Sequence, residues 1–168
     1  MLFSEFREKF GHFFDPCEQG FTNELIVSLA TRRYVRGEDV ASTEVARSGR
    51  PMGYFFFITQ GLFALTNKIK INPSKPYRPF LLLPRHTVYG DYQILFDLYP
   101  NCDFRTYVPD PKFPEERSAY AHLQLPDEDL EPEGEYVLMQ VEASILKNLC
   151  ELYPETSDNL RYRSLDRR

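Results

Sequence analysis

Tryptophan is absent, and cysteine, histidine and positive charge are all in short supply. The three cysteines, Cys17, Cys102 and Cys150, are odd in number, widely spaced and form no Cys-x-x-Cys pair. That pattern speaks against a disulfide framework and for buried thiols in a reducing compartment. His12, His86 and His122 have no companions at ligand spacing, so they read as surface or core residues rather than a metal site. Lys and Arg number 20 against 25 Asp and Glu, and the net charge of −5 argues against a general nucleic-acid or anionic-membrane surface. A phosphate site in such a chain needs a local positive spot. No stretch is long and apolar enough to span a bilayer, and no signal peptide is visible, so the chain reads as cytosolic, or as the cytosolic piece of something larger. A P-loop and any local Ser-His-Asp or Cys-His signature are also missing, which leaves no enzyme reading. The acids from Asp127 to Glu135 alternate like a calcium loop, but Pro132 stands where such a loop needs glycine. They read as a solvated stretch.

What is present is aromatic: 14 Phe and 11 Tyr in 168 residues, with 42% apolar and 27% charged content, enough for one globular domain with a proper core. Phe3, Phe6, Phe10 and Phe13-Phe14 recur at helical spacing and predict an amphipathic lead-in helix over 1–20, stopped near Gly11. Thr22 is the expected N-cap of a helix over 23–31. From Arg33 the period shortens. Tyr34-Val35 and Val40 predict strands around an Arg36-Gly37-Glu38-Asp39 turn, and 45–53 reads as a loop. Tyr54 to Thr59 is dense in aromatic and β-branched residues and predicts a central strand, turned by Gln60-Gly61 into Leu62 to Thr66. The prolines of 72–79 demand a loop or an edge, followed by a strand over 80–83. Another strand is expected over 102–108. Five prolines and the acidic run make 109–134 an inserted mobile loop. Tyr136 to Val141 is the last strand, and Ala143 to Leu152 a helix with Ile145, Leu146 and Leu149 inward. Tyr153-Pro154 breaks it, and Ser157 or Asp158 is the expected cap of a final helix carrying Leu160 and Leu165. Helix, many short strands, then two helices predicts a mainly β fold with flanking α: an eight-stranded antiparallel β-roll (jelly-roll).

The chemistry concentrates in Tyr89-Gly90-Asp91-Tyr92-Gln93. A glycine and an acid opening a short apolar helical turn can hold an anion, because glycine lets the backbone approach and the turn's N–H groups point outward. Asp91 could accept hydroxyl donors beside that anion. The plain alternative is a turn and cap without ligand, with Tyr89 and Tyr92 filling the space themselves.

Four blocks stand in order: Asn23-Glu24-Leu25 through Arg36-Gly37-Glu38-Asp39-Val40; Gly53 to Gly61; the Gly90-Asp91 turn; and Leu152-Tyr153-Pro154-Glu155 running to Leu165-Asp166-Arg167-Arg168. Together they resemble the cyclic-nucleotide-binding domain of voltage-gated potassium and other cation channels, of hyperpolarisation-activated, ether-à-go-go-like, ciliate or plant type. The resemblance implies a phosphate cassette at Gly90, Asp91 and Tyr92. It makes 1–20 the end of a linker from a pore and 21–168 the binding domain, with 109–134 inserted.

It also implies a cAMP or cGMP site that has degenerated. The family's phosphate-binding arginine, followed by Thr or Ser, falls here at Pro100-Asn101, and the nearest candidate pair is Arg105-Thr106. A longer connection could return Arg105 to the site; otherwise Asp91 and Asp103 face a phosphate with no cation, and binding is weak or absent. Arg163 is the candidate purine lid on the final helix, the alternative being a cationic last turn that opposes the helix dipole. The implied partners are the rest of a channel polypeptide and its sister subunits, with no nucleic acid and no direct membrane insertion. Two other readings stay open. One is a ligand-free interaction scaffold of the same fold. The other is a soluble sensor such as a kinase regulatory subunit, which would be expected to carry tandem domains and a pseudosubstrate arm. The finish at Arg168 inside a continuing helix reads as that of a fragment.

Overall fold

The structure, a computed structural model, describes residues 3–35, 44–68, 77–107, 125–130 and 134–166. The elements run α1 (Phe3–Lys9), α2 (Gly11–Phe14), α3 (Gln19–Val27), β1 (Ala30–Val35), β2 (Glu44–Ala46), β3 (Tyr54–Gln60), β4 (Phe63–Lys68), β5 (Tyr77–Leu83), β6 (Val88–Tyr89) and α4 (Asp91–Leu95). They continue with β7 (Asp103–Thr106), α5 (Asp127–Leu130), β8 (Glu135–Glu142), α6 (Ala143–Leu152) and α7 (Pro154–Asp166). The eight described strands form two four-stranded antiparallel sheets, ordered β1-β8-β3-β6 and β2-β7-β4-β5. This is the expected β-roll with N-terminal helices and two C-terminal helices.

Strand alternation divides the core in two. Phe56 of β3 points between the sheets, where its ring centroid lies 5.1 Å from that of Phe104 on β7. Phe63 joins Phe104 and Tyr136 there. Phe55 and Phe57 point the other way, toward the lead-in helices. Phe57 packs against Phe6, Phe10, Phe13 and Phe14 at 5.1–5.7 Å. Each ring of that set is almost fully buried.

The lead-in segment is two short helices rather than one, and Gly11 begins the second instead of ending the first. Thr22 is not a cap: α3 starts earlier, after Glu18, and Thr22 is buried inside it. The expected helix end at Thr31 is strand β1. Glu18 is tied to the last helix instead. Its backbone N–H donates to Thr156 Oγ1, whose hydroxyl donates to Glu18 Oε2, each at 3.0 Å. The expected loop over 45–53 overlaps the end of strand β2, which pairs with β7. Helix α7 begins at Pro154, so neither Ser157 nor Asp158 caps it; proline suits a first helical position, where its missing N–H costs nothing. Leu160 is buried and Leu165 exposed. Pro79 sits on the sheet edge, in β5, as its missing N–H requires. The 36–39 turn, Val40, residues 72–76, most of 109–134, and Arg167 and Arg168 lie outside the described residues.

The acidic run is not wholly solvated. Asp129 of α5 is 4% exposed. It accepts the Gly61 N–H at 3.0 Å and Arg85 Nε and Nη2 at 2.8 and 2.6 Å. A charged residue goes under only where partners replace its water, and these three bonds do so. Part of 109–134 is thereby pinned to the β3–β4 turn.

Candidate functional site

Gly90 holds φ 109°, ψ −13°, a left-handed conformation that turns β6 sharply into α4. A Cβ there would lie 2.8 Å from the Tyr54 carbonyl oxygen, so the backbone of the turn rests directly on β3. The turn opens a cleft of about 300 Å³ between the sheets and α7. Leu65, Leu83, Val88 and Tyr89 form its apolar wall, and Asp91, Tyr92, Gln93, Asn101, Cys102 and Ser164 its polar rim.

Tyr89 is 7% exposed, and its ring packs on Phe104 at 5.0 Å, so it belongs to wall and core at once. Tyr92 leans on Phe96 at 5.1 Å while lining the rim. Asp91 is buried, and Ser164 Oγ of α7 donates to its Oδ2 at 3.2 Å. Ser164 Oγ also lies 2.8 Å from the Leu160 carbonyl within its own helix. Among the described residues, the final helix meets the cassette through Ser164.

The expected residues are only partly brought together. Gly90, Asp91 and Tyr92 meet at the cleft. Arg105 does not line it. By strand alternation Arg105 leaves β7 on the face opposite Phe104, and its Nη1 stands 3.6 Å from Glu44 Oε2 on β2. Thr106 is buried on the Phe104 face, opposite Phe63, and is likewise outside the cleft. Arg163 is not a cleft residue either: its charge falls on Cys17, opposing the burial that pushes that thiol up to about 12. Arg161 contacts Ser157 and lines a separate cleft of about 330 Å³ between α4, α6 and α7. Among the described lining residues, Asp91 is the one charged group.

Gln93 lay in the stretch the sequence singled out, whereas Ser164 and Asn101 were not named as rim residues. Asn101 had a signal, because it occupies the place where the family resemblance puts its arginine. Ser164 had none, since its contact depends on how α7 crosses α4.

No family model matches the chain, and no curated protein matches it. Solved structures do. The regulatory domain of Toxoplasma gondii PKA with cAMP overlays with a TM-score of 0.58 at 11% identity, over 88% of this chain and 42% of that one. The C-linker/CNBHD of zELK channels, crystallized in the presence of cAMP, gives 0.59 at 13%, over 92% and 60%. The sensor domain of the transcriptional regulator DNR from Pseudomonas aeruginosa gives 0.63 at 11%, over 98% and 89%. The chain has the fold of cyclic-nucleotide-binding domains, and spans less than half the length of the Toxoplasma regulatory-domain chain. No helix among the described residues is long and apolar enough to cross a membrane.

Proposed function

We propose that the chain is a cyclic-nucleotide-binding-like regulatory domain of a cation channel, with a cleft that has lost its ionic hold on a cyclic phosphate. The observation that carries the degenerate site is the charge around the cleft: Asp91 on the rim, no described cation, and Arg105 committed to the other face of β7. A phosphate moved from water into such a cleft keeps the backbone N–H groups of the cassette but meets an acid. Each charge-assisted hydrogen bond it forgoes is worth roughly 1.5–3 kcal/mol, so a missing bidentate arginine weakens affinity on the order of a hundredfold. The test is calorimetric titration with cAMP and cGMP. Neither heat nor thermal stabilisation is expected at about millimolar nucleotide. Micromolar binding to the wild type would overturn the degenerate site, and its loss in Arg105→Ala would return Arg105 to the phosphate.

The channel context has separate support: the Leu152-Tyr153-Pro154 break between α6 and α7, the lead-in helices seated on β3, and the likeness to the zELK domain. Kinase and transcription-regulator structures overlay as well. The remainder of the open reading frame decides among them. Pore helices upstream would support the channel; a pseudosubstrate arm or a DNA-binding helix pair would remove it.

A further inference from the structure

We propose that the second cleft, between α4, α6 and α7, binds a free α-amino acid with an apolar side chain, its carboxylate on Arg161 and its ammonium on Glu151 and Asp158. This site is separate from the cassette cleft and does not depend on what that cleft holds.

Opposite charges line this cleft without all meeting. Lys147 Nζ and Asp97 Oδ1 close on each other at 2.6 Å on the rim. Arg161 has no carboxylate partner among the described residues. Its Nη1 donates to Ser157 Oγ, which holds the guanidinium in place. Ser157 is 3% exposed and is also hydrogen-bonded to the Cys150 thiol, so the anchor belongs to the packed base of the cleft. A guanidinium is a planar fork of N–H donors, and those that Ser157 does not engage can take both oxygens of a carboxylate. Glu151 of α6 and Asp158 of α7 line the same cleft, and neither is paired with a cation among the described residues. Unlike charges that share a cleft without touching leave a gap that a molecule carrying both signs can bridge. An α-amino acid carries its carboxylate and its ammonium on one carbon. The two rim acids attract that ammonium and repel a multiply charged anion such as phosphate. Ile94 and Leu95 of α4 and Pro154 of α7 supply an apolar wall for the side chain. The volume, about 330 Å³, is at the small end of ligand pockets and favours a compact molecule. A ligand seated there meets α4, which opens at the cassette, and both helices of the Tyr153-Pro154 break, so it would hold the three at one angle.

Titration of the intact chain with leucine, leucinamide, N-acetyl-leucine and inorganic phosphate, by calorimetry and melting midpoint, tests the site. Leucine should bind and raise the midpoint. Leucinamide lacks the carboxylate and N-acetyl-leucine the ammonium, so each should bind about tenfold more weakly or worse, for want of charge-assisted hydrogen bonds. Phosphate should not bind. Arg161→Gln should weaken leucine to a similar degree. If that variant melts early, the comparison of leucine with its analogues on the wild type decides instead. Leucine should also slow thiol labelling at Cys150, which lines this cleft, and leave Cys102, in the cassette cleft, unchanged. Absence of leucine binding to the wild type, binding of either analogue or of phosphate as tight as that of leucine, or Cys150 labelling that leucine leaves unchanged overturns the inference. None of these results bears on the cassette cleft, which the cyclic-nucleotide titration tests alone.

Discussion

On the helix side of β3, Phe55 and Phe57 meet Phe13, Phe14, Phe6 and Phe10, ring on ring. On the roll side, Phe56 meets Phe104, and Phe104 in turn carries Tyr89, whose far edge looks into the cleft. The first wall is made of one kind of contact repeated, and any residue of similar volume and polarity serves it. The second ends in single groups, Asp91 and Ser164, whose charge and direction cannot be averaged over neighbours. The fold can therefore persist at 11–13% identity, because its packing tolerates the exchange of one apolar residue for another.

The largest effect that sharpens the contrast is expected at Phe57→Ala. Its ring is fully buried against the rings of α1 and α2, so truncation leaves a cavity that the packed rings refill only partly. Destabilisation of about 3–5 kcal/mol should appear in urea unfolding. A loss under about 1 kcal/mol would show the back wall to be loosely packed and break the comparison.

Asp129→Ala follows, with about 2–3 kcal/mol, because the Gly61 N–H and the Arg85 guanidinium would both lose their acceptor. The figure lies at the low end for a buried pair, since Arg85 keeps partial contact with water and with Glu128. Limited proteolysis of the same variant should speed cleavage within 125–134.

Gly90→Ala comes next, at about 1–2 kcal/mol, from a left-handed backbone and a Cβ pressed on the Tyr54 carbonyl. Urea unfolding of this variant should show that loss.

The smallest effect concerns His86. Burial lowers its pKa from the usual 6.5, with the charges of Lys9 and Arg85 adding to the shift. The unfolded chain then takes up the proton first as pH falls, so this residue's contribution is complete above about 6.5 and is lost as pH drops through the folded value. His86→Asn should flatten a shallow loss of midpoint below that pH. Asparagine tolerates the positive φ of 72° held at this position.

Much of the fold could be read from period alone. Tyr54 to Thr59 is a central strand because aromatic and branched residues face two cores, and Ala143 to Leu152 is a helix because its apolar residues recur on one side. Failures occurred where distant contacts decide. Gly20 stands inside α3, where only a glycine leaves room for the Tyr153 hydroxyl, and nothing local in the sequence announces that neighbour. Strand β2 is three residues amid polar neighbours, too short to show a period. Asp129 looks like one more acid until Arg85 is placed beside it. Arg105 could have been placed from the sequence. Alternation about Phe104 sends it to the far side of β7, and Asn101 already stood at the family's position.

Cys17, Cys102 and Cys150 are all buried, and none of them is in a disulfide. Burial raises Cys17 to about 12 and moves Cys150 in the same direction, so few thiolates form at either while the chain is closed. A thiol reagent then reacts at the rate at which each neighbourhood opens. Cys102 lines the cleft, Cys17 lies at the corner between α2 and α3, and Cys150 lies beneath α7. The chain carries three clocks of its own, one in each neighbourhood. Labelling followed cysteine by cysteine would give the opening free energies separately, without a single substitution.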